Sequence, residues 1–362
     1  MNDLTLQSPQ GSDSAMVRGF WYPALASDHI QGRKLRPAML LGLPLVLGRE
    51  TSGRVFAMRD NCPHRGVPLS GCRFDGEFLE CPYHGWRFEA GTGRCREIPA
   101  LPAGSDFQAD RIAATRFPCE EQDGYAWVYV PDPDRAQEPL PPVPRLPVFG
   151  DRYRFVRIAA EQPLSFDNGV IHLMDPAHGP FVHQSWWWRS RASMHDKEKL
   201  FVPIPSGFSM QAHRPSANSR AYKLLGVYGE PITTQIDFVL PNMRFEQVRC
   251  GTHWFSSRAT VTPITADRCR VDVCAAWDIF PLVPFMASII RFFGRKFLAQ
   301  DMRVMAEQAR GLKSNPTLTL IDDADRLAKW YYQLKAAYLE SRRTGQPMQH
   351  PIPGPVALRW RS

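Results

Sequence analysis

Two short stretches of the chain pair a cysteine with a histidine: Cys62-Pro63-His64 and Cys81-Pro82-Tyr83-His84. Thiolate and imidazole both bind soft and borderline first-row metals, so these four side chains can surround a metal centre. Zinc also accepts two cysteines and two histidines, but its sites usually set Cys beside Cys and His beside His. A mixed pair on each of two loops instead suits a [2Fe–2S] cluster in which one iron takes two thiolates and the other two imidazoles. Neutral imidazoles remove negative charge and raise the reduction potential well above that of an all-cysteine cluster. Gly66, Gly71 and Gly85 lie beside the pairs, where the lack of a side chain lets backbone come close to the cluster.

A second constellation lies in residues 172–183, HLMDPAHGPFVH. His178 and His183 are five residues apart, about 140° around an ideal helix, so a regular helix does not aim both at one ion. Gly179 and Pro180 lie between them and are expected to break or distort the turn, which lets the rings converge. Two histidines and one carboxylate, with positions left open, form the facial triad of non-haem Fe(II) sites. Taken alone, two neighbouring histidines fit a structural role equally well, so the carboxylate matters. It has to come from elsewhere in the chain. In FLAQDMRVMAEQARGL, Asp301 shares a helix face with Phe297, Val304 and Met305. A carboxylate among apolar neighbours is costly unless paired or metal-bound, which makes Asp301 the expected third ligand. Asp278 is the alternative.

C-P-H-R-G followed by C-P-Y-H-G-W, with 16 residues between His64 and Cys81, resembles the Rieske signature of ring-hydroxylating and demethylating oxygenases. Asp175, His178 and His183 fall on the D-x-x-H-x₄-H pattern of that family, and Gln300-Asp301-Met302-Arg303-Val304 resembles its E-D-x-x-V segment with Gln300 in place of the acid. His172 departs from the vanillate-demethylase-like branch, which usually has an amide there. It is expected either to sit behind the ligands as a hydrogen-bond partner or to be an alternative ligand. Respiratory Rieske proteins carry an extra disulfide whose cysteine falls where Tyr83 stands. The resemblance therefore implies no such disulfide, and leaves Cys72 as a thiol of structural role.

The resemblance further implies that Cys62, His64, Cys81 and His84 hold the cluster and that His178, His183 and Asp301 hold Fe(II). Asp175 has two readings: a helix N-cap with Pro176 in the first turn, or the family's bridge between a Rieske histidine of one subunit and an iron-bound histidine of the next. The bridge implies a head-to-tail homotrimer, since a heterologous contact closes as a ring. The implied function is the terminal oxygenase component of a multi-component monooxygenase. O₂ is its co-substrate, and NAD(P)H acts only indirectly, through a separate reductase or ferredoxin. No G-x-G-x-x-G opens a βαβ unit, so the chain is not expected to bind nicotinamide itself. The M-D-P-A-H-G-P-F-V-H version of the motif looks most like members acting on polycyclic molecules such as pheophorbide or sterols. Hydroxylation or oxidative demethylation of a bulky hydrophobic substrate is therefore expected, including oxidation of a sterol ring methyl. Demethylation of a small aromatic is the alternative, and a Rieske electron carrier without oxygenase activity is the competing class. A carrier has no use for His178, His183 and Asp301.

The elements that must position these residues are legible in outline. Prolines number 33 among 362 residues, nearly twice the usual ~5%, which disfavours a long helical bundle and favours strands and turns. The expected fold class is α+β. Short β-segments such as 54–58 and 124–130 suggest an all-β Rieske domain over residues 17–133. Residues 131–147 hold seven prolines, so 134–148 is expected to be a semi-rigid linker. A mononuclear-iron catalytic domain follows over 149–345, with an antiparallel sheet from runs such as 232–240 and 252–264, flanked by helices near 162–184 and 286–340. Trp186, Trp187 and Trp188, with Phe280, Phe285, Phe292 and Phe293, offer apolar lining for a pocket.

Residues 1–133 hold 14 basic and 16 acidic residues, so the net charge of +8 arises wholly in the rest of the chain. The cations there are scattered, which does not suggest nucleic acid; docking of an acidic protein partner is the sharper reading. No window reaches the length of a membrane span. The apolar run Ile279–Ile290, interrupted by Pro281 and Pro284, reads first as a buried segment, with a membrane-surface contact as the alternative. Without a visible secretory signal, eight cysteines do not read as a disulfide framework, and a cytoplasmic location is expected.

Overall fold

A computed structural model describes every residue except 1–4, 8–15, 136, 185–190, 216–224, 229–230, 281–282 and 284. The chain is α+β and divides into two compact units.

The first unit, Val17–Arg145, consists of three small antiparallel sheets. Arg73–Phe74, Phe78–Glu80, Arg87–Glu89 and Cys95–Glu97 form one of them, in sequence order. Val46, Phe56, Met58, Leu69, Leu79 and Phe88 are buried together beneath it. The unit runs past residue 133 because the proline-rich segment folds back onto it: the Trp21 indole donates to the Pro141 carbonyl at 2.7 Å.

The second unit spans Leu146–Ser362, joined by a strand at Thr5–Gln7 that pairs with Thr317–Thr319. Its centre is an eight-stranded antiparallel sheet. The order is Arg154–Gln162, Arg268–Trp277, His253–Thr265, Met243–Cys250, Ile232–Val239, Gly207–His213, Asp196–Ile204 and Val356–Arg361. The last strand lies beyond residue 345, where the domain was expected to end. It pairs in register with Asp196–Phe201 and caps that edge of the sheet.

Four helices are described: α1 (Phe166–Met174), α2 (Gly179–Val182), α3 (Met286–Leu312) and α4 (Arg326–Thr344). α1 sits tight on the sheet because residue 169 is glycine. A Cβ there would lie 2.9 Å from both Val261 Cγ1 and Cys269 Sγ, with Met305 of α3 next to it. α1 and α3 thus meet over one face of the sheet, which brings the 172–183 segment to the side of α3 that carries Asp301. A buried ion pair joins α1 to α4: Lys335 Nζ lies 2.7 Å from both Asp167 oxygens, and the Tyr331 hydroxyl donates to Asp167 at 2.5 Å.

The Ile279–Ile290 run is not uniformly buried, contrary to expectation. Ile279 is buried, and Phe280, Met286, Ala287 and Ile290 pack on the core. Phe285 and Ile289 face outward, as does Phe292 one turn on. Once the run becomes helix, alternate sides of it meet sheet and solvent. The phenylalanines expected to line one pocket therefore divide, with Phe285 and Phe292 on the outside. The three consecutive tryptophans lie outside the described residues.

Candidate metal centres

Both Cys-His loops of the first unit are closed by the same pair of backbone hydrogen bonds. The Cys62 amide donates to Val67 O and the Gly66 amide returns to Cys62 O, each at 2.8 Å; Cys81 with Trp86, and Gly85 with Cys81, repeat this at 2.9 Å. The returning glycines have φ of 75° and 69°, a region that ordinary side chains rarely occupy. The loops present two buried thiols, Cys62 and Cys81, and two imidazoles whose ring centroids are 4.6 Å apart. His64 stacks flat on Trp86 at 4.4 Å, while His84 Nδ1 is buried with no hydrogen-bond partner. Burial pushes the Cys62 thiol up, and the neighbouring Cys81 adds to this. Two facing buried thiols and an orphaned imidazole nitrogen suit bound metal, which supplies the positive charge that thiolates need. Cys72 is half-buried nearby, and burial pushes its thiol up to about 12.

In the second unit, four side chains converge. His178 and His183 bracket α2 as its flanking residues. Gly179 and Pro180 do not break this turn but begin it, since proline is tolerated in a first helical turn. Because a single turn separates the histidines, their Nε2 atoms meet at 3.2 Å. Asp301 Oδ1 lies 3.1 Å from His183 Nε2 and 3.7 Å from His178 Nε2. Bonds of about 2.1 Å to a first-row metal place adjacent ligands about 3 Å apart, so this spacing fits one ion. Burial would raise the Asp301 carboxyl, but its contacts with His172 and His183 hold it at about 2, ionised as a ligand must be.

His172 belongs to the same group. Its Nε2 lies 3.2 Å from Asp301 Oδ1, and His172, His178 and Asp301 together could hold an ion. Asp278 is elsewhere: it accepts the Trp254 amide at 2.7 Å and faces His253. Asp175 ends α1 rather than starting a helix, because α2 begins only at Gly179. The N-cap reading therefore fails. Its Oδ1 accepts the Ala177 amide at 2.7 Å, and Oδ2 points to His178 Nδ1 at 3.6 Å. A cavity of about 120 Å³ adjoins it, lined by His172, Asp175, Pro176 and Leu327 among others.

Two supporting residues had gone unassigned. Gln300 Oε1 lies 3.1 Å from His183 Nδ1, and Phe297 stacks on the same ring at 3.5 Å. Gln300 had shown itself only as a departure from an acidic pattern, and Phe297 only as an apolar neighbour of Asp301 on its helix face.

Residues 20–116 match the Rieske [2Fe-2S] domain, and residues 158–343 match the vanillate O-demethylase oxygenase C-terminal domain. The chain is 27% identical to a chloroplastic chlorophyllide a oxygenase of Chlamydomonas reinhardtii, over 96% of this chain and 53% of that protein. It is 34% identical to the 4beta-methylsterol monooxygenase of Methylococcus capsulatus, over 36% of each. The fold is shared with NdmA of Pseudomonas putida CBB5, solved with caffeine, at a TM-score of 0.72 and 20% identity, covering 94% of this chain and 96% of that one. The chain spans about half the length of the first curated relatives it matches. With a Rieske domain followed by a vanillate O-demethylase-type domain over half its length, the chain belongs to the Rieske non-haem iron oxygenases.

Proposed function

We propose that this chain is the terminal oxygenase component of a multi-component Rieske monooxygenase acting on a bulky hydrophobic polycyclic substrate. The overall reaction consumes O₂, two electrons and two protons, converting a C–H bond to C–OH and releasing water. On a methyl group bound to carbon this is hydroxylation; on an O- or N-methyl group it leads to demethylation. The electrons come from NAD(P)H through a separate reductase or ferredoxin. The convergence of His178, His183 and Asp301 donors, in a chain that also carries both Cys-His loops, supports this most directly.

Cys62, His64, Cys81 and His84 would hold the [2Fe–2S] cluster, and His178, His183 and Asp301 the mononuclear Fe(II). When bound, these groups supply electron storage and the reductive activation of O₂. Gln300 Oε1 accepts a hydrogen bond from His183 Nδ1 and so turns Nε2 toward the metal position. Phe297 covers the ring and keeps water from it. His172 donates to the Asp301 oxygen that His183 and His178 also face, which steadies the carboxylate. Asp175 orients His178 from behind and, in a head-to-tail homotrimer, would reach a cluster histidine of the next copy.

The names of two relatives, one for chlorophyllide a and one for a 4beta-methylsterol, favour a polycyclic substrate, a sterol ring methyl among the candidates. The vanillate-type second domain favours a small aromatic as the second reading. A cytoplasmic location is proposed from the cysteine content alone.

Metal analysis tests the assignment. Fully loaded protein should hold iron for one cluster and one mononuclear site per chain. His178→Ala should lose about one iron and keep the cluster's visible spectrum, because the cluster ligands lie in the other unit. Wild type holding only cluster iron, with no substrate-dependent O₂ uptake, would favour the electron-carrier reading instead.

A further inference from the structure

The first turns of α3 carry an outward ridge for which the oxygenase chemistry has no use. Phe285, Ile289, Phe292 and Lys296 fall at positions i, i+4, i+7 and i+11, a single stripe of the helix. Their apolar members are open to solvent: Phe285 is 79% exposed, Phe292 54% and Ile289 42%. The opposite side is anchored, since Met286, Ala287 and Ile290 pack on the core that contains Val156, Ala275 and Trp277. The ridge is thus a fixed projection. Phe285 is held at a φ of 58°, which a bulky residue rarely adopts without a compensating reason.

The charge carried by this segment itself has one sign. Residues 279–300 contain Arg291, Arg295 and Lys296 and no acidic residue. Lys296 Nζ lies 4.7 Å from the centre of the Phe292 ring, so cation and aromatic are presented together. No helix among the described residues is long and apolar enough to cross a bilayer. Phenylalanine and isoleucine on a stripe edged by arginine and lysine are the composition of a helix that lies in a membrane interface. The rings enter the acyl boundary while the cations meet anionic headgroups. An acidic protein would neutralise the cations alone, whereas a bilayer with anionic headgroups also takes up the exposed phenylalanine and isoleucine side chains.

We propose that the N-terminal half of α3, with Phe285, docks the enzyme on an anionic phospholipid surface. The contact goes beyond the oxygenase reading and depends on neither substrate nor iron, so either can fail without the other.

The experiment is co-sedimentation of the full-length protein with vesicles of phosphatidylcholine alone or mixed with phosphatidylglycerol, at low and high salt. Wild type should sediment with the mixed vesicles only, and salt should release it. Replacing Arg291, Arg295 and Lys296 together by Gln should weaken binding on the order of a hundredfold, from roughly 1 kcal/mol per cation near an anionic surface. Phe285→Ser with Phe292→Ser should weaken it at least about tenfold. The cluster's visible spectrum checks that each variant is folded. Failure of wild type to sediment, equal binding to neutral vesicles, or undiminished binding by the variants would each overturn the proposal. So would a change of oligomeric state on ultracentrifugation of the Phe→Ser variant without loss of vesicle binding, because the ridge would then be covered by a second copy of the chain.

Discussion

Replacing Gln300 by Leu removes the only side chain described as facing His183 Nδ1, at 3.1 Å, and leaves the volume nearly filled. An amide oxygen can only accept, so it selects the tautomer that bears the proton on Nδ1 and keeps Nε2 free for metal. Loss of such a partner typically costs ten- to hundredfold in metal affinity. The structure places the effect toward the lower end. The ring stays 2% exposed and clamped by Phe297 at 3.5 Å, so its orientation survives. What is lost is one neutral hydrogen bond, with a buried N–H left unsatisfied, together about 1–2 kcal/mol. Gln300→Leu should therefore weaken Fe(II) binding by roughly five- to thirtyfold. Gln300→Glu keeps an acceptor and adds charge, and should bind at least as tightly as wild type. Anaerobic competition with a chromophoric chelator reads the constant, with the cluster spectrum as a check on folding. Wild-type affinity in Gln300→Leu, or weaker binding in Gln300→Glu than in Gln300→Leu, would refute the role assigned to this residue.

Lys335→Met leaves the Asp167 carboxylate buried beside Tyr331 without its cation and should destabilise the second unit by about 3–5 kcal/mol; Asp167→Leu combined with it should restore most of the thermal stability. If the single variant melts with wild type, the pair contributes nothing to holding α1. Asp175→Asn should keep both iron sites yet slow cluster reoxidation in single turnover, because an amide loses the charge and one acceptor; reoxidation at the wild-type rate removes the bridge. In the iron-free protein, the Asp301 carboxyl lies at about 2, below its unfolded value of ~3.9. Its stabilisation, about 2–3 kcal/mol, is therefore present above pH ~4 and lost as pH falls through about 2. Asp301→Asn should flatten that segment of an acid-unfolding profile, and an unchanged profile would contradict the ionised assignment.

The two Cys-His loops were legible because each pair is local: one turn fixes cysteine, histidine and glycine together, and spacing alone carries the geometry. His178 and His183 were legible for the same reason, though the device joining them, a one-turn helix entered through Gly179 and Pro180, was not. Asp301 is more than a hundred residues away, and it was marked by its position on an apolar helix face and by the likeness of its segment to E-D-x-x-V. Gln300 and Phe297 could not be assigned, since their function exists only once α3 lies against α2. The 279–290 run misled because it is apolar on all sides, and packing decides which side turns inward. The last strand, Val356–Arg361, alternates arginine with apolar residues as an edge strand does, but it lies after a helix that looked terminal.

The matched hydrogen bonds that close the two Cys-His loops have a consequence for how the protein matures. Each loop is secured by main-chain contacts that need no metal, with a core of Val46, Phe56, Leu79 and Phe88 beneath. Preorganisation of this kind separates folding from cofactor assembly. In a zinc finger the metal drives the chain to fold; here the backbone contacts and core are expected to let the scaffold form first and receive iron and sulfide afterwards. Loss of the cluster is then expected to leave a folded unit that can be refilled, so that its replacement is a matter of supply rather than of renewed synthesis.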